Sequence, residues 1–240
     1  MNSHKKLYMV DDITILKKSH QSRENLYGKH TKKENWANAI PEIVEDSRGK
    51  TLRILGHDVM SSFEEPYMKA LGEVATENGG NILNVGYGLG YLDQAIENHR
   101  NECNVKEHHI IEINKHIANT AKDKQPCCNI IRADWHDAIE DFNESQFNGI
   151  VYDGYPLKFG EVHRDGVEFI EQVMKNRILK KGGVLTFYAD ATEQFGSQFV
   201  TYLSDLGFSK VEVEKTKEII PPKGIEYWNH NHFLVPKLVY

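Results

Sequence analysis

The chain has 240 residues, of which 40% are hydrophobic and 27% charged, a balance that excludes disordered, fibrous and membrane-spanning classes of protein. Its 29 basic and 35 acidic residues give a net charge of −6. This charge excludes a nonspecific electrostatic grip on nucleic acid or on an anionic membrane, and it favours a cationic substrate.

The first 50 residues are rich in Lys, His, Asn, Glu and Ser, and their apolar residues lack a clear period. Two interpretations stay open for this segment: a frayed arm, or an ordered lid in which Trp36 packs over a site. We expect an N-terminal arm or lid over residues 1–50 and one folded domain over residues 51–240. The four apolar residues from Leu7 to Val10 are too few for a signal peptide, and no run reaches a membrane span.

From residue 62, segments with helical spacing alternate with strand-like segments, a pattern typical of a parallel sheet flanked by helices. The spacing predicts helices over 66–75, 91–99, 115–123, 167–179 and 194–206, and strands over 81–85, 109–113, 129–132, 149–152 and 184–188. The runs 210–215 and 233–239 predict an antiparallel hairpin at the sheet edge, where Pro236 is tolerated. The predicted fold class is α/β, with a mostly parallel sheet, helices on both faces and an antiparallel edge hairpin.

The cysteines and histidines predict neither disulfides nor a metal site. Three cysteines, Cys103, Cys127 and Cys128, are an odd number that indicates free thiols in a reducing compartment, and we expect a cytoplasmic protein. Neighbouring or alternating histidines, as at 108–109 and 230–232, do not have the spacing of a ligand set. Cys127 and Cys128 are interpreted as packing residues.

The first predicted strand runs into a G-x-G-x-G turn, Gly86 to Gly90, at the start of a helix. Glycines let a backbone approach a ligand closely, and the helix start offers free N–H groups. Glu112 ends the second strand, where a carboxylate can accept both hydroxyls of a ribose. Ligands of open α/β sheets bind beyond the carboxyl ends of the strands, so the turn should converge with Glu112, Asp134–Trp135 and Asp153 on one crevice.

The spacing of the glycines distinguishes between nucleoside ligands. Dinucleotide folds favour G-x-G-x-x-G, in which the helix start faces a pyrophosphate. S-adenosylmethionine has a ribose and an adenine but no phosphate, and its positive sulfonium suits an acidic crevice. The turn therefore favours a methyltransferase, with an NAD-dependent dehydrogenase as the alternative.

Two acids are candidates for holding the substrate. Asp153 follows the fourth predicted strand directly, and the alternative is that it only caps the turn there. Glu64 and Glu65 open the first predicted helix, where acids stabilise the helix without any catalytic role, and we interpret Glu65 in that way. Glu64 becomes a site residue if the entry loop folds over the crevice and meets Asp153.

Several strings have the order and spacing of one known family: Thr51-Leu52-Arg53-Ile54-Leu55-Gly56, Val59-Met60, Phe63-Glu64-Glu65-Pro66-Tyr67-Met68, Ile111-Glu112, Trp135, Gly149-Ile150-Val151-Tyr152-Asp153-Gly154-Tyr155-Pro156-Leu157 and Gly182-Gly183-Val184-Leu185-Thr186. Over residues 51–190 the chain resembles guanidinoacetate N-methyltransferases. The resemblance implies a Rossmann-like class I methyltransferase fold and transfer of a methyl group from S-adenosylmethionine to a guanidino nitrogen, with S-adenosylhomocysteine as product.

Carried over by position, the resemblance and the glycine turn give the candidate site residues. The cofactor-binding candidates are Trp36, Met60, Met68, Gly86, Tyr87, Gly88, Leu89, Gly90, Tyr91, Leu92, Glu112, Ile113, Asn114, Trp135 and His136. The substrate-binding candidates are Glu64, Asp153, Gly154, Asp190 and Ala191.

A guanidinium has a pKa above 12 and shares its charge over three nitrogens, so a nitrogen becomes nucleophilic only when a lone pair is localised and a proton leaves. One carboxylate can clamp two N–H groups, while another aims the reacting nitrogen and accepts the proton. We assign Asp153 as the base and Glu64 as the clamp.

Two departures from the family pattern widen the choice of substrate. Asn84 stands where the family has an acid before the glycine turn, and Gly154 stands where it has a threonine beside the substrate. Guanidinoacetate, free arginine, agmatine and a protein or peptide arginine all stay open, as does a non-catalytic nucleoside-binding module. The expected partner is a small guanidino compound, without nucleic acid or membrane, and the expected assembly is a monomer or homodimer.

Overall fold

The computed structural model of the chain describes residues 33–157, 162–189, 195–225, 228 and 230–240, without the side chains of residues 162–165. The described residues form a three-stranded antiparallel sheet and a seven-stranded, mostly parallel sheet covered by helices. The predicted α/β fold class is therefore confirmed. None of the described helices combines the length and apolar character that a bilayer span requires.

The helices and strands follow one another in this order: α1 (Lys33–Asn38), β1 (Glu42–Asp46), β2 (Gly49–Ile54), β3 (His57–Ser61), α2 (Glu65–Thr76), β4 (Gly80–Val85), α3 (Tyr91–Asn98), β5 (Val105–Ile111), α4 (Lys115–Lys124), β6 (Asn129–Ile131), α5 (Trp135–Ala138), β7 (Phe147–Tyr152), α6 (Val162–Lys175), β8 (Leu179–Phe187), α7 (Ser197–Asp205), β9 (Lys210–Lys215) and β10 (Leu234–Val239). A 3₁₀ turn, Ser62–Glu64, joins β3 to α2, and another, Ile139–Asp141, follows α5.

The small sheet of β1, β2 and β3 was not predicted from the sequence. β1 and β2 form a hairpin, and β2 also pairs with β3. The expected division at residue 50 lies inside β2, which spans Gly49–Ile54. β3 leads directly into the 3₁₀ turn, where the Ser61 N–H donates to Glu64 Oε1 at 2.8 Å. The small sheet thus positions Glu64 at the start of α2.

The large sheet has the strand order β6-β5-β4-β7-β8-β10-β9. The five strands from β4 to β8 are parallel to their neighbours, and β10 runs antiparallel to both β8 and β9. The chain leaves β4 first to one side, through β5 and β6, and then returns to the other side with β7. This reversal places a crevice at the carboxyl end of β4, where ligands of open α/β sheets bind.

Successive side chains of β4 point to opposite faces of the sheet, and each face is covered by a layer of helices. Ile82 packs in a cluster with Met68 and Leu71 of α2, whereas Leu83 packs with Phe169 of α6 on the other face. Both β4 residues are fully buried. A strand buried on both faces is typical of a parallel sheet between two layers of helices.

The chain after β7 departs from prediction at two places. Helix α6 spans Val162–Lys175 instead of 167–179, and β8 begins at Leu179 instead of residue 184. Phe147 pairs with Leu179 and Gly149 with Val184, so the residues between bulge out of the ladder. The spacing of Ile178 and Leu179 favours a longer helix, but both residues are buried against the sheet, and this burial outweighs the local helical preference.

Pro236 lies in an inner strand, because β10 sits between β8 and β9. β10 contacts β8 through Leu238, opposite Leu185, and through Leu234, opposite Ala189. Pro236 falls between these two contacts, where its missing N–H interrupts the ladder. The sheet therefore accommodates Pro236 through a gap in the hydrogen bonding between β10 and β8, and not through a position at the sheet edge.

A substitution at Gly149 tests how closely α2 packs on the sheet. A Cβ at this position would lie 1.9 Å from the Ala75 carbonyl oxygen, so Gly149→Ala must push helix and strand apart. We expect Gly149→Ala to lower the free energy of unfolding by about 3 kcal/mol, measured by urea denaturation. Gly182→Ala is the control: Gly182 has φ +74° and open space around it, so we expect about 1 kcal/mol. Equal losses would contradict the close approach.

Candidate active site

Backbone hydrogen bonds join the carboxyl ends of three adjacent strands. The Gly86 N–H donates to the Ile111 carbonyl of β5 at 2.8 Å, and the Asp153 N–H donates to the Val85 carbonyl of β4 at 2.9 Å. Gly86 has φ +94°, and a Cβ there would lie 2.3 Å from the Asp153 carbonyl oxygen. A glycine is required for this approach, and it places Asp153 next to the glycine turn.

The glycine turn closes on itself before α3 begins. The Gly90 N–H donates to the Tyr87 carbonyl at 2.8 Å, and Gly88 and Gly90 both have positive φ. Met60 of β3 lies against this turn, since its Sδ accepts the Leu89 N–H at 3.3 Å. The small sheet therefore supplies one wall of the crevice.

Glu112 fastens the turn to the end of β5. Its Oε2 accepts the Tyr87 N–H at 3.0 Å, and its Oε1 accepts the Asn114 N–H at 2.7 Å. The side chain is buried, with the residue 6% exposed, and burial raises its pKa. Each oxygen retains a second lone pair, as two ribose hydroxyls require.

The two candidate substrate acids interact electrostatically across the crevice. Burial raises the pKa of Asp153 well above its usual range, and the charges of Glu64, Asp93 and Glu112 raise it further. Glu64 is 2% exposed, and the Ser61 N–H holds its carboxylate in place. A crevice with this concentration of negative charge favours a cation.

Trp36 is buried at the rim of the crevice. Its indole stacks on the Tyr155 ring at a centroid distance of 4.6 Å, and its carbonyl accepts the Asn114 side-chain N–H at 2.7 Å. Asn114 follows β5 and Tyr155 follows β7, and β4 lies between these strands. Trp36 thus contacts residues that follow β5 and β7, on either side of the end of β4.

Trp135 and His136 lie beyond β6 at the start of α5. Asp134 caps this helix by accepting the His136 N–H at 2.8 Å and also accepts the His136 ring Nδ1–H at 2.6 Å. The His136 ring stacks on the Trp135 indole at 3.6 Å. His136 is exposed at this position, whereas Trp135 is buried in the core.

Asp93 is a buried acid that the sequence analysis did not single out. Its residue is fully buried, and its Oδ1 accepts the Asn84 Nδ2–H at 2.9 Å, while Asn84 also donates to the Gly86 carbonyl at 2.7 Å. The acid that the family places at position 84 is therefore replaced by a buried Asn84–Asp93 pair. Its position between Leu92 and Ile96 on the buried face of α3 is the sequence signal that could have found Asp93.

The remaining candidates divide into three groups. Met68 and Leu92 are core residues, 0% and 1% exposed, whereas Tyr91 and Ile113 are half-buried. Gly154 lies beside the Tyr152 ring, which a Cβ would approach to 2.8 Å, so Tyr152 fills the volume next to this glycine. Asp190 and Ala191 lie outside the described residues.

Two sequence comparisons bear on the family. The sequence profile of the family described as guanidinoacetate N-methyltransferase matches residues 26–240. The chain is 29% identical over 194 residues to "Protein arginine N-methyltransferase 2" of Aspergillus oryzae (strain ATCC 42149 / RIB 40). That match covers 74% of this chain and 44% of the relative, so the chain spans less than half the relative's length.

Solved structures share the fold at low identity. A spermidine synthase in complex with the transition state analogue AdoDATO has a TM-score of 0.62 at 16% identity, covering 82% of this chain and 69% of that one. M. jannaschii TYW2 in complex with AdoMet has a TM-score of 0.51 at 15% identity, covering 84% and 85%. Together with the sheet order, these likenesses confirm the Rossmann-like class I methyltransferase fold.

The raised pKa of Asp153 implies that this carboxyl group lowers the free energy of unfolding when it is ionised. A carboxyl whose pKa is raised by folding keeps its proton longer in the folded state, so stability falls as the pH rises from the unfolded pKa through the folded one. Asp153→Asn removes that loss. We expect the variant to be about 1 kcal/mol more stable than the wild type near about pH 8, a rise in Tm of about 2–4 °C.

The gain should shrink as the pH falls below about 4 and should be lost near about pH 3, where wild-type Asp153 is mostly protonated in both states. Thermal unfolding by circular dichroism measures both values, and Asp123→Asn on the exposed surface of α4 is the control. A destabilised Asp153→Asn at the higher pH would contradict the repulsion.

Proposed function

Since the chain belongs to the guanidinoacetate N-methyltransferase family, we propose that it transfers a methyl group to a nitrogen of a small guanidino compound such as guanidinoacetate or arginine. Family membership makes the chain a methyltransferase that uses S-adenosylmethionine. The observation that carries the guanidino proposal is the pair of acids, the buried Glu64 and the half-buried Asp153, whose charges interact.

The residues present fit this cofactor. Glu112 offers a buried carboxylate to the ribose hydroxyls, and Trp135 with His136 offers a stacked surface to the adenine. The negative charges of Glu64, Asp93 and Glu112 suit the sulfonium and the ammonium groups, where a phosphate would be repelled. When bound, S-adenosylmethionine supplies an electrophilic methyl carbon.

The acids would act on the guanidinium in distinct ways. Glu64, held by the Ser61 N–H, would accept N–H groups of the planar cation and fix its orientation. The cation would relieve the repulsion at Asp153, which keeps that carboxylate ionised in the complex. Asp153 would then accept the proton that the reacting nitrogen loses.

Burial excludes water from the same crevice. Trp36 and Tyr155 stack over the end of β4, and Tyr152 occupies the space beside Gly154. A site covered in this way strengthens the electrostatic contacts inside it and protects the methyl donor from water. It also favours a flat, compact acceptor.

A protein or peptide arginine is the second candidate substrate. The 29% identity to a protein arginine N-methyltransferase favours it, and the guanidinium chemistry at Glu64 and Asp153 would be the same. The two candidates differ in whether the crevice must admit a polypeptide past the Trp36–Tyr155 stack.

Methyl transfer from labelled S-adenosylmethionine to guanidinoacetate, arginine, agmatine and an arginine-containing peptide tests the proposal. We expect transfer to a free guanidino compound, and a loss of at least about 100-fold in kcat for Asp153→Asn, because the base is removed. Glu64→Gln should also lower kcat/KM strongly, whereas the adjacent exposed Glu65→Gln should not.

Binding of S-adenosylhomocysteine to Asp153→Asn should stay close to wild type, which separates a lost base from a misfolded site. Transfer to the peptide alone would favour the second candidate. Cofactor binding without transfer to any guanidine would indicate a non-catalytic module. Undiminished turnover by Asp153→Asn would remove its proposed role.

Glu112 should control cofactor affinity. Glu112→Gln places an N–H₂ group against the Tyr87 or the Asn114 N–H and removes the charge from a buried acceptor. We expect the Kd for S-adenosylhomocysteine to rise at least about tenfold, the effect of losing one charged hydrogen bond. Isothermal titration calorimetry measures this change, with Glu107→Gln on the exposed side of β5 as control. An unchanged Kd would argue against ribose binding by Glu112.

A further inference from the structure

Three side chains with metal-binding atoms meet on the far side of the Asn84–Asp93 pair. They are Glu97 of α3, His108 of β5 and Cys128, which precedes β6. His108 Nδ1 lies 2.8 Å from Glu97 Oε1, and Cys128 Sγ lies 3.3 Å from that nitrogen and 3.4 Å from that oxygen. We propose that this Glu97–His108–Cys128 cluster binds one zinc ion.

The spacing of the three atoms suits a tetrahedral ion. Zinc lies about 2.0–2.2 Å from nitrogen and oxygen ligands and about 2.3 Å from sulfur, which puts neighbouring ligand atoms roughly 3.3–3.7 Å apart. Both distances to Cys128 Sγ already fall at the start of this range. The nitrogen and oxygen need to separate by a few tenths of an ångström as the ion replaces the hydrogen bond between them.

His108 is oriented as zinc-binding histidines usually are. Its residue is fully buried, and the nitrogen that does not face the cluster, Nε2, lies 3.1 Å from Asp93 Oδ1. A carboxylate on the second ring nitrogen fixes the tautomer and strengthens the imidazole as a ligand. Asp93 is in turn held by the Asn84 side chain at 2.9 Å.

The ligands of the cluster match the charge of a divalent ion. The carboxylate of Glu97 and the thiolate of Cys128 would offset the two positive charges of the ion, with neutral His108 as the third ligand. Binding would release the proton of the Cys128 thiol to solvent. Arg100 Nε remains on Glu97 Oε2 at 2.7 Å, while Oε1 serves the metal.

The cluster is reached from the surface through Cys128. This half-buried residue lines a cavity of about 440 Å³ between the end of α4 and β6, from Lys122 to Ile131. None of the candidate cofactor-binding residues lines that cavity. The site is therefore separate from the crevice.

Close polar contacts connect the metal site to the glycine turn. His108 Nε2 lies 3.1 Å from Asp93 Oδ1, and the Asn84 side chain donates to that oxygen at 2.9 Å and to the Gly86 carbonyl at 2.7 Å. A bound ion would fix His108 and, through it, the pair that holds the turn. The role of the zinc is thus to stabilise the cofactor-binding turn, without contact with the reacting groups.

Cobalt titration of the full-length, reduced and chelator-treated protein tests the site. We expect one equivalent of Co²⁺ to bind, with the near-ultraviolet charge-transfer band of a thiolate ligand, and Zn²⁺ to displace it. Cys128→Ser should abolish the band, and Asp93→Asn should weaken metal binding about 10–100-fold. Cys127→Ser is the matched control, because this neighbouring cysteine is exposed and lies outside the cluster, so it should leave the band intact.

A second measurement uses the wild-type chain, in case Cys128→Ser does not fold. Zn²⁺ should protect Cys128 from alkylation by iodoacetamide by at least tenfold in rate, as read by peptide mass spectrometry, and should leave Cys127 reactive. No band at saturating Co²⁺, equal loss of the band in both cysteine variants, or equal protection of both thiols would overturn the proposal. These readouts do not depend on methyl transfer.

Discussion

The whole site depends on the approach of two backbones at Gly86. Strands β4 and β7 end so close together that the Asp153 N–H reaches the Val85 carbonyl at 2.9 Å, and a side chain on Gly86 would strike the Asp153 carbonyl oxygen. Because the glycine permits this approach, the glycine turn and Asp153 share one edge of the sheet. Glu112 then ties β5 to the same turn.

Negative charge is the second feature that organises the molecule. Glu64, Asp93, Glu112 and Asp153 gather around the turn, and their mutual repulsion is visible in the raised pKa of Asp153. A site built for phosphate would place cations and helix N–H groups here. The acids around this turn instead favour positively charged ligands.

Behind the turn, a buried polar chain replaces the acid that the family pattern expects at position 84. Asn84 bonds to Asp93, and Asp93 faces His108, whose other nitrogen meets Glu97 and Cys128. Buried polar groups with partners rigidify the structure around them. This chain therefore links the rigidity of the glycine turn to a separate cluster at the edge of the sheet.

The sequence by itself determined the five parallel strands, the glycine turn and the carboxylates at strand ends, because periodicity and turn chemistry are local. It did not reveal the β1–β3 sheet, whose short strands lack a strong alternating pattern and of which β1 is mostly exposed. It also missed the bulged start of β8, where burial of Ile178 and Leu179 outweighs helical spacing. The Glu97–His108–Cys128 cluster was decided by the tertiary structure, because its residues come from three elements far apart in the chain and meet only when α3 packs beside β5 and β6.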